Sequence, residues 1–410
     1  MKVYLQTFGC RANQYDSEVV RALLEGGGAE LVTDVAEADA AVFNSCAVTA
    51  AAEADLRHAV RRAARRRPGI ATVVMGCAAA RDPAGIAALP NVARVIAGAG
   101  GAEAAAALGI AAPDARPARQ TGTRALLRIQ DGCDEHCTFC ATTLARGANR
   151  SRAVDDLVAE AAQLGEHHAE IVLTGVHIGS YGSDTGTSLG ALVDRLVYAA
   201  PRARFRLSSV EATEVDDRLR ERLTSHDGGL VPYLHAPLQS GSDNVLRRMG
   251  RHWYTAMTYA RAIERIVGDA SVFGLGADII AGFPGESEDD HRATMSLVSS
   301  LPFTGLHVFP FSPRPGTAAQ RIGAAVSSAD ATRRALELRA EGERLAAAYR
   351  ERRAGGYADV IVIGDRAHRN GLTEDYLSVI PADDALSRGT RKCMRLTLED
   401  GVLFAHARER

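Results

Sequence analysis

The sequence predicts an α/β protein in three parts: an N-terminal doubly wound parallel sheet, a central partial (β/α)6 barrel, and a small C-terminal β-barrel. Three observations predict this. Short apolar runs alternate with helical patterns from residue 3 to 96 and again from 125 to 311, as parallel strands with crossover helices require. A Gly-, Ala- and Pro-rich stretch separates those two blocks. Beyond Gly355-Gly356 the helical pattern stops and short β-like runs take over. The implied boundaries are 1–98, a linker at 99–123, 124–354 and 355–410.

Bulk properties narrow the class. Hydrophobic content of 46% and charged content of 24% over 410 residues suit large buried cores. A net charge of −2 excludes polycation behaviour, so nucleic-acid contact would rest on local basic patches. The N-terminus runs into a strand pattern without a signal-peptide core, and no apolar run is long enough to span a membrane. Seven cysteines make an odd count with no disulfide framework, which fits metal-ligand thiols in a reducing cytoplasm.

In the N-terminal block, Val3–Thr7 reads as a strand ending at Phe8-Gly9-Cys10, followed by a helix over Ser17–Glu25. A strand at Ala40–Phe43 ends at Asn44-Ser45-Cys46, and a helix at Ala50–Arg67 stops at Pro68-Gly69. Ala71–Met75 leads to Gly76-Cys77, and Val92–Ile96 is the next strand. Cys10, Cys46 and Cys77 thus each follow a strand end. Parallel strands share one C-terminal edge, where ligands bind, so three cysteines distant in sequence are expected to converge into a three-thiolate metal site. The competing reading is three buried free cysteines, which pack as small hydrophobes. The helix from Ala50 carries Arg57, Arg61, Arg62, Arg65, Arg66 and Arg67, either a solvated face or a phosphate contact. In the linker, Gly98-Ala99-Gly100-Gly101, Pro113 and Pro117 interrupt patterning, and Ala102–Leu108 is a short helix.

After a strand at Ala125–Ile129 come Cys133, Cys137 and Cys140 at C-x3-C-x2-C spacing. Three thiolates in eight residues suit an iron–sulfur cluster; zinc would want a fourth ligand, for which His136 is the near candidate. A four-iron cubane on three cysteines leaves one iron open to a small molecule. The spacing is similar to that of the radical S-adenosylmethionine (SAM) enzymes.

The alternation then resumes: helix Val154–Leu164, strand Ile171–Thr174, helix Ser188–Ala199, strand Arg204–Ser208, helix Asp216–Thr224 and strand Leu230–His235. Helices Asp243–Met249 and Thr255–Val267 precede strand Val272–Ile280, and helix Glu286–Leu301 precedes strand Gly305–Phe311. Counting the strand before Cys133, that is six units, an open partial barrel with its chemistry on the loops after the strands. SAM needs partners for its amino-acid end and ribose and an apolar wall for adenine. Glu211, Gln239 and Asp278 are of suitable type at strand ends, Gly175 and Ser209 lie on the same tips, and Phe139 lies between two candidate ligands. The turn Gly282-Phe283-Pro284-Gly285 is either part of that site or only a tight turn before a helix. A charged helix at Thr332–Arg353 leads to β-like runs at Ala358–Ile363, Tyr376–Ile380, Met394–Leu398 and Val402–Ala405. Arg366, His368, Arg369, Arg391, Lys392 and Arg395 give this barrel a basic face, while Cys393 has no partner motif.

Taken together, the chain resembles the radical-SAM methylthiotransferases. The resemblance implies an N-terminal cluster domain, a radical-SAM partial barrel and a TRAM-like RNA-binding β-barrel, whose signature Gly371-Leu372-Thr373-Glu374-Asp375-Tyr376 matches. Cys133, Cys137 and Cys140 match the SAM-cluster ligands, and Cys10, Cys46 and Cys77 the auxiliary-cluster ligands, implying two 4Fe-4S clusters and SAM as cofactors. The run Cys10-Arg11-Ala12-Asn13-Gln14, with Asn44-Ser45-Cys46-Ala47-Val48-Thr49 and Leu173-Thr174-Gly175-Val176-His177, resembles the branch acting on threonylcarbamoyladenosine beside the tRNA anticodon. The isopentenyladenosine and ribosomal-protein branches are the alternatives, and a non-catalytic iron–sulfur RNA-binding or electron-relay protein is the alternative class. After Cys140 the family commonly has Ile-Ile-Pro-Tyr-Ala-Arg-Gly; here Ala141 and Thr142 take the first two places, Thr143 and Leu144 replace Pro and Tyr, and Arg146 and Gly147 keep theirs. The implied partners are tRNA, an electron donor such as flavodoxin or ferredoxin, and an unidentified sulfur donor.

Overall fold

The computed structural model describes residues 1–47, 49–111, 116–225, 227–268, 270–365 and 367–407. Val48, Pro113 and Arg366, singled out above, lie outside the described residues. The N-terminal block runs β1 (Lys2–Thr7), α1 (Arg11–Gly26), β2 (Glu30–Val32), β3 (Ala40–Ser45), α2 (Ala50–Arg66), β4 (Ala71–Gly76), α3 (Cys77–Arg81), α4 (Pro83–Ala87) and β5 (Val92–Ala97). The strands pair in parallel in the order β2-β1-β3-β4-β5. The winding direction reverses between β1 and β3, which opens a crevice at their C-terminal ends. β3 is buried at every position, as a central parallel strand covered on both faces must be.

Helix α1 begins at Arg11, six residues before the start predicted at Ser17. Its first turns bury Asn13 and Asp16, polar residues whose hydrogen bonds replace the apolar stripe that periodicity detects. The segment predicted as a linker contains α5 (Gly101–Ala107), whose Ala104 and Ala105 join Val20, Leu24 and Val42 in one core.

The central block begins with β6 (Ala125–Arg128). The antiparallel pair β7 (Gln130–Asp131) and β8 (Arg150–Ser151) then closes the base of the cysteine loop, which carries α6 (Thr142–Arg146). Next come α7 (Val154–Gly165), β9 (Glu170–Thr174), α8 (Leu189–Ala199), β10 (Arg204–Leu207), α9 (Asp217–Thr224) and β11 (Tyr233–His235). α10 (Asp243–Arg248), α11 (Ala256–Val267), β12 (Gly274–Ala281), α12 (Glu288–Ser300) and β13 (Gly305–Pro310) complete it. Parallel ladders join β6-β9-β10 and β11-β12-β13, and single bridges Phe205–Leu230 and Ser209–His235 connect the halves. The six parallel strands therefore form the open barrel expected from the sequence. The strand expected over Leu230–His235 is shorter, since only Tyr233–His235 pairs as a ladder. α13 (Ser328–Arg353) covers β13, with Arg339 donating to the Val308 carbonyl at 2.7 Å.

At the C-terminus, β14 (Tyr357–Val362), β15 (Gly371–Leu372), β16 (Ser378–Pro381), β17 (Arg391–Glu399) and β18 (Val402–Ala407) close a barrel in the order β14-β15-β16-β18-β17. Val360, Met394, Leu396 and Leu403 fill it, and Tyr349 of α13 packs against that core. Tyr376, expected to open a strand, instead lies in a turn at φ +71°. Thr373 Oγ1 holds that turn by accepting from Leu377 N at 2.8 Å.

Candidate active site

The ends of β1, β3 and β4 bring Cys10, Cys46 and Cys77 together. Gly9 has φ +97°, and a Cβ there would come within 2.4 Å of Cys46 Sγ, so only glycine lets Cys10 and Cys46 approach. Gly76, at φ +98°, turns β4 directly into α3, and a Cβ would meet the Ser45 carbonyl at 2.4 Å. Asn13 lies among the thiols, its Oδ1 4.0 Å from Cys10 Sγ and 3.8 Å from Cys77 Sγ. Its amide is locked by donating to the Phe8 and Ser45 carbonyls at 3.0 and 2.7 Å. Burial pushes the Cys77 thiol up; the Arg146 guanidinium opposes this, while Cys10 and Cys46 add to it.

The second triad is braced from three sides. Cys133 N donates to the Gly147 carbonyl at 3.0 Å, and Thr138 N to the Met249 carbonyl at 2.8 Å. Cys133 Sγ lies 3.6 Å from His177 Nδ1, Arg251 Nη1 donates to Cys137 Sγ at 3.5 Å, and Thr142 N donates to Cys140 Sγ at 3.3 Å. Burial pushes the Cys137 thiol up to about 12 against the pull of Arg251. His136, the near candidate for a fourth zinc ligand, is exposed.

The spacing of the sulfurs discriminates between metals. A tetrahedral zinc at about 2.3 Å per sulfur needs its ligands within about 4 Å of one another. Among the described residues neither cysteine triad brings three sulfurs within 4.8 Å. The wider spread fits a larger cluster on each triad. The one trio with ligating atoms that close, among the described residues, is His235, Asp278 and His307.

Above the barrel, the strand-end residues are brought to the cysteine loop. Glu211 is buried and ion-paired with Arg251, the same arginine that reaches Cys137. Burial pushes the Glu211 carboxyl up against the Arg251 charge. Its Oε2 is buried with no partner, an acceptor that the ammonium or ribose of SAM would satisfy. Gly175 leaves no room for a side chain: a Cβ would lie 2.7 Å from both the Gln130 carbonyl and Ile178. Gln239 adopts φ +62° and is held in line with β12 as its N donates to the Asp278 carbonyl at 2.8 Å. Asp278 lies 3.1 Å from His235 Nε2 and 3.3 Å from His307 Nδ1. Burial opposes its charge, yet the two imidazoles hold it well below the usual carboxylate range. Phe139 turns edge-on to Phe283, with ring centres 6.3 Å apart, in a cluster with Val245 and Met249. The Gly282–Glu286 turn is tied down by Arg248 to the Gly285 carbonyl at 2.6 Å and by Arg334 to Glu286 at 2.8 Å, a structural use of the motif.

One cleft of about 440 Å³ joins the parts, lined among others by Cys10, Arg11, Gly175, Ser209, Asp278 and Tyr376. All three blocks of the chain contribute to it. Several residues that position it escaped the sequence reading. Arg146, from α6, donates to Cys77 Sγ at 3.3 Å and Asn13 Oδ1 at 2.6 Å and pairs with Asp16 at 2.8 Å, so it links one triad's loop to the other triad. Gln130 Oε1 accepts from Val176 N and His177 N at 3.0 and 2.9 Å, fixing the β9 tip. Tyr376 stacks on Tyr233 at 4.5 Å with the Arg206 guanidinium 4.9 Å from its ring centre. Arg204 and Arg206 share the fully buried Glu170 at 2.7 and 2.9 Å and also donate to Leu372, Thr373 and Glu374 carbonyls, so the C-terminal barrel is docked through a buried charge network. Arg204 and Arg206, alternating with Phe205 and Leu207 along one strand, gave no such signal in sequence. Only the family motifs that hold Arg146 and Tyr376 hinted at two of them.

Comparison with known proteins adds the identity of the class. Residues 2–98 match the model of the uncharacterized protein family UPF0004, and residues 127–298 that of the radical SAM superfamily. The chain is 32% identical to threonylcarbamoyladenosine tRNA methylthiotransferase MtaB of Thermotoga maritima, covering 86% of this chain and 84% of that protein. It is 33% identical to the Bacillus subtilis protein of the same name, covering 92% and 90%. It is also 32% identical to the tRNA-2-methylthio-N(6)-dimethylallyladenosine synthase of Thiobacillus denitrificans, covering 90% and 88%. Among solved structures, the radical SAM methyltransferase TsrM from Kitasatospora setae, with cobalamin and a [4Fe-4S] cluster bound, shares the fold at a TM-score of 0.59 and 15% identity, over 78% of this chain and 76% of that one. Radical SAM enzymes use SAM and a [4Fe-4S] cluster, and methylthiotransferases carry a second cluster. With relatives this similar over most of its length, the chain belongs to the radical-SAM methylthiotransferases that modify tRNA.

Proposed function

We propose that this enzyme adds a methylthio group to C2 of N6-threonylcarbamoyladenosine at position 37 of tRNA. The observation that carries the reading is the shared cleft, in which Cys10 from the N-terminal sheet faces strand-end residues of the barrel. The relatives named for threonylcarbamoyladenosine support the choice of substrate. In this reading residues 1–98 form the auxiliary-cluster domain, 124–354 the radical-SAM domain and 355–410 a TRAM-like RNA-binding domain, with 99–123 between the first two. Cys133, Cys137 and Cys140 hold the SAM cluster, and Cys10, Cys46 and Cys77 the auxiliary cluster. Glu211, Gln239, Asp278, Gly175, Ser209 and Phe139 surround SAM.

When bound, the cofactors supply one-electron chemistry, the sulfur and the methyl group. The chain's own contribution is placement. Arg251 orients Glu211 beside the Cys137 loop, Gln130 holds the Gly175 turn against it, and Arg146 fixes the loop against the Cys77 side. The reaction takes place in the cytoplasm, with an electron donor of the flavodoxin or ferredoxin kind. Mass spectrometry of tRNA nucleosides from a strain lacking the gene tests the reading: the methylthio form of threonylcarbamoyladenosine should vanish and return on complementation. Loss of methylthio-isopentenyladenosine instead would move the enzyme to the branch of the Thiobacillus relative.

A further inference from the structure

We infer that Arg11 is the residue that recognises the substrate, by pairing with the carboxylate of the threonylcarbamoyl group. This rests on the substrate proposed above. Arg11 immediately follows Cys10 and lines the same cleft. Among the described residues its guanidinium makes one hydrogen bond, from Nη2 to Tyr376 Oη at 2.9 Å, and no carboxylate lies within ion-pair distance. The single carboxylate lining the cleft is Asp278, already held between His235 and His307. Among the described residues, Arg11 is therefore a half-buried cation with most of its five donors unspent and no anion of the protein's own to meet.

The substrate provides the missing anion. The reacting carbon has to approach the sulfur site at Cys10, which carries the N6 substituent past the neighbouring guanidinium. A threonylcarbamoyl group ends in a carboxylate that a guanidinium fork binds in two parallel hydrogen bonds. An isopentenyl group offers no acceptor and would cover the charge with apolar surface, so the same residue selects for one substrate and against the other. Tyr376, stacked on Tyr233, holds the guanidinium in place from the C-terminal barrel.

The test uses the reconstituted holoenzyme and anticodon stem-loops bearing threonylcarbamoyladenosine as the free acid, its methyl ester, or isopentenyladenosine. Binding is read by fluorescence polarisation and product by mass spectrometry. Wild type should bind and convert the acid roughly tenfold to a hundredfold better than the ester. Arg11→Gln should bind acid and ester alike, and Arg11→Lys should recover part of the preference. Arg11→Lys, which keeps the charge in the same place, supplies the test should Arg11→Gln fail to fold: its acid-to-ester ratio should lie below that of wild type, and an unchanged ratio counts against the guanidinium fork. Equal use of acid and ester by wild type, or an undiminished preference in Arg11→Gln, overturns the role of Arg11 alone. A wild type acting only on the isopentenyl stem-loop overturns both this and the substrate assignment.

Discussion

Replacing Arg146 with Gln should loosen the junction between the two cysteine triads. The Arg146 side chain is 1% exposed and pairs with Asp16, itself 1% exposed, at 2.8 Å and with Asp131 at 3.1 Å. Removing one partner of a buried pair costs about 3–5 kcal/mol, because the other charge stays buried. Arg128 also pairs with Asp16 and keeps it partly compensated, so the lower figure of about 3 kcal/mol applies. Lost bonds to Asn13 Oδ1 and Cys77 Sγ fall on the same residue and are not additive. If the sheet and barrel unfold together, Tm should drop by roughly 4 °C. Differential scanning calorimetry on anaerobically prepared protein measures this. Arg146→Lys, which keeps the charge and loses the fork, should fall between. A Tm for Arg146→Gln within a degree or so of wild type would refute the idea that this arginine holds the two halves together.

Three other variants test contacts elsewhere in the molecule. Glu170→Gln leaves Arg206 buried without a counter-charge and Arg204 with Asp359 alone, and should release the C-terminal barrel to limited proteolysis. Although burial opposes its charge, Arg206 and Arg204 hold Glu170 well below its ordinary 4.5, so its stabilisation is complete above about pH 4.5 and is lost progressively as pH falls from there through the much lower folded pKa; unfolding profiles at pH 7, 4 and 2.5 should show the gap between wild type and Glu170→Gln barely narrowed at pH 4 and clearly smaller at pH 2.5. Gly9→Ala forces a Cβ into Cys46, so iron bound at the N-terminal triad should fall sharply while the barrel's circular dichroism is retained; an unchanged iron content would count against the close approach of Cys10 and Cys46. Glu211→Gln should weaken SAM binding by about tenfold or more in equilibrium dialysis, since the orphan oxygen and the Arg251 pair are both lost.

The architecture was legible where chemistry repeats with the chain's own geometry. Strands ending in Cys10, Cys46 and Cys77 share an edge by the rule for parallel sheets, and the C-x3-C-x2-C loop is local. What escaped was polar and long-range. Arg146 and Asn13 meet across 133 positions, and Arg206 and Thr373 across 167, with no periodicity to announce them. The start of α1 was missed for the related reason that Asn13 and Asp16 are buried by hydrogen bonding. Tyr376 was visible only as part of a barrel motif, and its place in the cleft follows from how that barrel docks on Arg204 and Arg206.

The central claim is that two separate thiol triads each carry a four-iron cluster. Iron and acid-labile sulfide, with Mössbauer spectra, should be measured on anaerobically reconstituted wild type and on two triple variants, Cys10→Ala/Cys46→Ala/Cys77→Ala and Cys133→Ala/Cys137→Ala/Cys140→Ala. About eight irons in wild type and about four in each variant is the expected result. About four irons in wild type, or a variant that keeps the full complement, would contradict it.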